Sequence, residues 1–170
     1  MNTLRLKIEK IREADFEKLL QIYNHSENMK FILTGKWDYT LEELKSKWNE
    51  LKFNSENQTG FKIIKLKNTN QIIGECGLLK TKEPISKELE IAYMIDEKYW
   101  KMGLGSEICE YLINNAFQKI GTEKIIAGMY RDNESSIRLI EKFGFKLSDE
   151  GVSKSGIHFK EFTLENPEFK

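Results

Sequence analysis

Between Glu88 and Ser106 the apolar pattern changes period across a loop that carries Gly103 and Gly105. Leu89 to Ile95 are mostly apolar, β-branched or aromatic and stop at Asp96-Glu97-Lys98, which reads as a short buried strand. Beyond Leu104, residues Ile108, Leu112 and Ala116 recur with Tyr111, Ile113 and Phe117 beside them, so a helix with one apolar face runs to about Gly121. The first turn of a helix leaves N–H groups without partners and carries partial positive charge, and glycine lets an anion approach the backbone. The stretch therefore reads as a phosphate cradle. The same two glycines would also suffice for a tight strand-to-helix turn.

Two phosphate loops are excluded by spacing. A dinucleotide fingerprint needs a third glycine where Ile108 stands, and a P-loop needs Gly-Lys-Ser/Thr, whereas Gly35-Lys36 is followed by Trp37. A chain of 170 residues, 39% hydrophobic and 32% charged, suits one globular domain spanning residues 1–170. Lys plus Arg and Asp plus Glu both number 27, so no global basic field points to nucleic acid. Cys76 and Cys109 have no metal or disulfide spacing and read as buried small hydrophobes. No stretch has the length of a membrane span or a signal peptide, which leads to the expectation of a cytoplasmic protein without membrane or nucleic-acid partners.

Leu4, Leu6 and Ile8 alternate as a first strand, and Arg12 to Asn24 carries Phe16, Leu19, Leu20 and Tyr23 at helical steps. The segment Asn28 to Tyr39 is irregular, with room for a short helical turn, and its Trp37 and Tyr39 can pack or line a cleft. Thr40 and Glu43 form a capping box ahead of the stripe Leu41, Leu44, Trp48 and Leu51. Phe61 to Leu66 and Gln71 to Leu79 read as a hairpin about Lys67-Asn68-Thr69-Asn70, and Pro84 marks the loop before the strand at Leu89. Lys124 to Tyr130 is a further strand. Asn133 opens a helix that Gly144 stops, and Phe145 to Leu147 and His158 to Leu164 close the chain as strands. The expected fold class is α/β, a mixed sheet with helices on both faces in the order β-α-α-β-β-β-α-β-α-β-β.

That order, with the glycine cradle after the fourth strand, resembles the GNAT superfamily of acetyl-coenzyme A-dependent N-acetyltransferases. Leu89 to Tyr93, Tyr99 to Glu107, Asn133 to Arg138 and Glu141 to Phe145 are similar to its ribosomal-protein N-terminal acetyltransferase branch. The resemblance implies that Lys101, Met102, Gly103, Leu104, Gly105 and Ser106 bind the pyrophosphate of acetyl-coenzyme A, with Trp100 where the superfamily usually has Gln or Arg. It implies also that the fourth and fifth strands splay through a bulge, that Met94 and Ile95 pair with the pantetheine, and that an amide near Met94 polarises the thioester. Asn133 is implied as a coenzyme contact. Gly105→Glu is expected to abolish coenzyme binding without unfolding the chain.

Acetyl transfer needs a neutral amine, and an amine with a pKa of about 10.4 must lose its proton at neutral pH. Glu90, on the central strand with Ala92 and Met94, is the first candidate base, and Glu75 on the neighbouring strand is the second. Either can instead pair with a cation. Relatives often supply a tyrosine to protonate the thiolate, but that position is Ile140, which leaves Ser136 or Tyr130 as hydrogen-bond donor; Asn133 and Ser136 can also serve as helix caps alone. His25 and His158 receive no role, and no metal is expected.

The expected activity is acetyl transfer to a primary amine: a peptide N-terminus, polyamine, amino acid or antibiotic. Glu27 to Tyr39 is expected to line the acceptor side, and the chain is a monomer or homodimer. The rival readings are an acyl-coenzyme A sensor without catalysis and an interaction domain whose loop is structural.

Overall fold

The computed structural model describes residues 3–32, 36–51, 59–81 and 87–169. β1 (Leu6–Glu9), β2 (Gly60–Leu66), β3 (Ile72–Lys80), β4 (Glu88–Ile95), β5 (Lys124–Tyr130), β6 (Lys146–Val152) and β7 (His158–Glu165) form one sheet in the order β1-β2-β3-β4-β5-β7-β6. Every neighbouring pair is antiparallel except β4 and β5. The helices are α1 (Phe16–Tyr23), α2 (Ser26–Met29), α3 (Leu41–Leu51), α4 (Leu104–Asn114) and α5 (Glu134–Lys142). The β4–α4–β5 unit is a parallel crossover of the kind that the change of period demands.

Alternation along the strands builds two apolar layers. Leu89 and Ile91, flanked by Tyr93 and Ile95, pack with Ile108, Cys109, Leu112 and Ile140 on the α4–α5 face. Met94 turns to the other face and packs with Ile63 of β2, Leu19 and Tyr23 of α1, and Leu44 and Trp48 of α3. Both cysteines are buried and free, as their surroundings in the sequence suggest.

The short elements follow their capping chemistry. Thr40 and Glu43 exchange hydrogen bonds, with the Thr40 N–H donating to Glu43 Oε2 at 2.8 Å and the Glu43 N–H donating to Thr40 Oγ1 at 3.2 Å. The α4 helix continues as a π turn over Asn115–Ile120 and stops at Gly121, which adopts a left-handed φ of 73°.

Several boundaries differ from those read in the sequence. The first helix is shorter because Glu13–Asp15 is a separate 3-10 turn: Asp15 accepts the Arg12 N–H at 2.9 Å and pairs with Lys65 at 2.9 Å, which draws it inward. Leu4 precedes the first strand and is exposed. The sixth strand begins only at Lys146 and runs to Val152, an exposed edge with no apolar face to mark it. Pro84, Leu33 and Gly35 lie outside the described residues, as do the side chains of Glu50 and Leu51.

Candidate functional site

Three residue pairs join β4 to β5: Glu88↔Lys124, Leu89↔Ile125 and Glu90↔Ile126. Beyond Glu90 this ladder ends, although β4 continues to Ile95 and β5 to Tyr130. The splay expected from the resemblance is therefore present, but no bulge accompanies it. β4 stays in unbroken register with β3 from Leu89 to Ile95, and the sheet's irregularities fall at Ile64/Lys65 and Leu147/Asp149.

The parity of the β3–β4 ladder decides which groups face the gap. The Asp96 N–H donates to the Ile73 carbonyl at 2.7 Å, and antiparallel pairs alternate, so Glu75↔Met94 is also a hydrogen-bonded pair. The Met94 carbonyl accordingly points at Gly74, where an added Cβ would meet it at 2.0 Å. This corrects the expectation for Met94: its own amide serves β3, and the backbone groups of Tyr93 and Ile95 are the ones turned toward β5. The Ile95 carbonyl accepts the Trp100 indole N–H at 2.7 Å, which gives the residue standing in place of Gln or Arg a local task.

At the end of the gap, Lys101 and Gly103 have φ of 61° and 76°, and Gly103 caps α4. The free N–H groups of the first turn belong to Leu104, Gly105 and Ser106, while the Leu104 side chain is buried in the core. Met102 and Lys101 are exposed beside it. Gly105 is not a simple gap in the cradle. A Cβ there would lie 2.9 Å from Leu139 Cδ2, so Gly105→Glu would push the end of that α5 side chain aside as well as crowd the cradle.

Arg5 was not singled out in the sequence. Its guanidinium donates to the Met102 carbonyl at 2.9 Å and pairs with Glu107 in the first turn of α4, placing a cation beside the cradle and neutralising the acid closest to it. The apolar alternation of the first strand hides this, because Arg5 reads there as an outward polar residue.

On the α1–α3 face of β4, Glu90 leans toward β5: its Oε1 lies 3.7 Å from where a Gly128 Cβ would stand. Burial, and then the charge of Glu161, push its carboxyl above the usual range. Glu75 is more deeply enclosed. Its Oε1 accepts the Tyr23 hydroxyl at 2.5 Å, its Oε2 is buried without a partner, and burial raises its carboxyl to about 7.

Asn133 caps α5, accepting the Ser136 N–H at 3.3 Å and the Ser135 hydroxyl at 3.1 Å, so the capping task is fulfilled whatever else it does. Ser136 and Cys109 sit beside the buried Tyr93 hydroxyl, whose pKa is raised by burial. Tyr93 is thus a second donor candidate that sequence reasoning passed over, although it stands within the quoted Leu-Glu-Ile-x-Tyr run. Tyr130 donates to the Ile32 carbonyl at 3.5 Å, and its ring centroid lies 6.2 Å from that of Phe31 with the planes tilted by 59°. The segment after α2 therefore reaches over the gap from β4's side to β5, within the stretch expected to line the acceptor side. No group of metal ligands occurs among the described residues, and no described helix is long and apolar enough to cross a membrane.

Residues 5–146 match the family model described as an acetyltransferase (GNAT) domain. The chain is 26% identical over 153 residues to the uncharacterized N-acetyltransferase YoaA of Bacillus subtilis, covering 89% of this chain and 84% of that one. Ribosomal-protein-S5-alanine acetyltransferase from Vibrio fischeri superposes with a TM-score of 0.84 at 16% identity, over 100% of this chain and 98% of the other. Spermidine N-acetyltransferase from Vibrio cholerae, solved with CoA and spermine, gives 0.82 at 15% identity over 97% and 98%. At such identities the two structures speak for the fold alone.

Proposed function

Since the chain belongs to the GNAT acetyltransferase family, we propose that it moves the acetyl group of acetyl-coenzyme A onto a primary amine, with Glu90 as the base. The observation that carries this reading is the end of the β4–β5 ladder at Glu90↔Ile126, in a sheet whose next loop delivers the N-terminus of α4. A strand pair parted on one side of its last rung offers backbone groups to an extended thioester arm.

The cosubstrate fits the residues present. The diphosphate would rest on the N–H groups of Leu104, Gly105 and Ser106 beside the Arg5 cation. Tyr93 and Ile95 would hold the arm, and the Tyr93 N–H is the donor suited to the carbonyl oxygen as it gains charge. When bound, acetyl-coenzyme A supplies an activated acyl group. Glu90 takes the amine's proton, directly or through one water, and its raised pKa brings it closer to the pH at which a base works best. Ser136 and the Tyr93 hydroxyl beside it are the donors proposed for the departing thiolate.

The acceptor face supports a cationic substrate, because Glu90 and Glu161 both face the Gly128 position and neither forms an ion pair among the described residues. A peptide N-terminus and a polyamine both meet that requirement. The test is a thiol-release screen with peptides, polyamines, amino acids and aminoglycosides as acceptors, with Glu90→Gln as the control. Release of thiol with one class, lost in Glu90→Gln, supports the reading; a melting shift with acetyl-coenzyme A but no release with any amine would instead favour a sensor.

A further inference from the structure

The buried carboxylate of Glu75 has no task in the proposed acetyl transfer. It stands in the middle of β3, opposite Met94, on the face covered by α1 and α3. One oxygen takes the Tyr23 hydroxyl at 2.5 Å, and the same hydroxyl lies 3.3 Å from Lys47 Nζ. The Lys47 ammonium sits 4.5 Å from the Tyr23 ring centroid and 5.6 Å from that of Tyr39, whose rings meet edge to face. The second oxygen of Glu75 is enclosed with no partner. Burying an acid and leaving half of it unsatisfied is costly, and hydrophobic packing alone would be better served by an apolar residue.

What this chain of groups holds is the wall of the acceptor side. Tyr23 is the last residue of α1, so its hydroxyl ties that end of the helix to the sheet. The next residue, Asn24, exchanges hydrogen bonds of 2.8 Å with the Tyr39 backbone, and Asn28 of α2 donates to the Ile22 carbonyl and accepts the Glu97 N–H at 2.8 Å. Past α2, Phe31 and Ile32 meet Tyr130 of β5 across the gap. Contacts thus run without a break from Tyr23 to the roof over the parted strands.

We propose that Glu75 is a positioning residue for acetyl transfer: ionised and drawn to Lys47, it fixes the end of α1 through Tyr23, and thereby seats the Phe31–Ile32 roof for the acceptor. This rests on the transfer reading above. When Glu75 takes a proton, the pull on Lys47 is lost and the roof is held by packing alone. The acceptor's KM then rises on the acid side while coenzyme binding, which uses the other end of the gap, does not change.

The titratable and charged groups around Glu75 are Tyr23, Tyr39, Lys47 and the adjacent Cys76, and burial keeps Tyr23 and Cys76 protonated near neutrality. His25 lies just beyond Tyr23, with its Nε2 3.3 Å from Glu97 Oε1. Each measurement is accordingly repeated with His25→Gln.

Two readouts test the proposal. The first is KM for the best acceptor from pH 5.5 to 8.5 in the wild type, Glu75→Gln and Tyr23→Phe, alongside the dissociation constant for coenzyme A. The expected result is a roughly tenfold rise in KM toward acid in the wild type, an elevated KM with a flatter pH dependence in both variants, and an unaltered coenzyme affinity. The second needs no turnover: the amide NMR shifts of Ile32 and Tyr130 should titrate near neutrality in the wild type and His25→Gln, and stand still in Glu75→Gln. Wild-type KM profiles in both variants, or amide shifts that titrate regardless of Glu75, would overturn the proposal. Shifts that behave as expected in a chain that acetylates no amine would uphold the Glu75 coupling and overturn the transfer reading instead.

Discussion

Arg5 and Glu107 lie 102 residues apart, yet the Arg5 backbone N–H donates to Glu107 Oε2 at 3.0 Å while its guanidinium grips the other oxygen. The contact fastens the entrance of β1 to the first turn of α4, with Thr3 Oγ1 adding a hydrogen bond to Glu107 at 2.7 Å. Because the same guanidinium also holds the Met102 carbonyl, it braces the loop from which the proposed diphosphate site is made.

Arg5→Ala should therefore act on binding more than on folding. The side chain is half exposed, so its ion pair contributes about 1 kcal/mol or less to stability. Loss of a fixed cation and a loop brace should weaken coenzyme A binding roughly tenfold, measured by calorimetry, with the effect shrinking as salt is raised. Unchanged affinity at low salt would remove Arg5 from the site.

Glu90→Gln should lower kcat by about 10² to 10⁴, the range that a positioned base supplies, with coenzyme affinity kept. The working form of Glu90 is the carboxylate, so wild-type activity should rise as pH climbs through its raised pKa and level off above it. In the variant that limb should vanish. A variant retaining both rate and limb would shift the assignment to another group.

The two glycines of the loop should respond differently. Gly103 has a left-handed φ of 76°, so Gly103→Ala should cost about 1–2 kcal/mol and Gly103→Asn less, because Asn tolerates that conformation. Gly105→Glu, with its Cβ driven toward Leu139, should lower the melting temperature together with coenzyme affinity. A Gly105→Glu protein that melts like the wild type would refute the packing account.

The stability of Glu75→Gln should depend on pH in a defined direction. The carboxyl moves from 4.5 to about 7 on folding, so its contribution to stability is present in full below 4.5 and is lost as pH rises to 7. Relative to the wild type, the amide variant should gain about 3 kcal/mol between pH 4.5 and 8, because each pH step between the unfolded and folded values is worth about 1.4 kcal/mol. Urea melts at the two pH values measure it, and parallel curves would show that the acid is not perturbed by folding.

Much of the fold was legible because apolar period and capping agree locally. The strand from Leu89, the helix from Leu104, the Thr40–Glu43 box and the stop at Gly144 each combine a face with a signal at its end. The sixth strand was cut short because an exposed edge has no buried face to produce alternation. Within the site, Glu90 and the glycine loop could be named from order and resemblance. The turning of the Met94 amide into β3 could not, since one residue of register decides it. Nor could Arg5 or the Tyr23–Glu75 contact, which join residues far apart in the chain.

Among the described residues, the three-pair ladder between β4 and β5, extended by the Glu123 N–H donating to the Lys87 carbonyl at 2.9 Å, joins the first four strands to the last three in this sheet. A ligand lodged above that ladder would work as a strut between two half-sheets, not merely as a guest in a pocket. Tightening of β5 against exchange with solvent when coenzyme A is added would then be a mechanical signature of the saturated enzyme, visible even before any acceptor arrives.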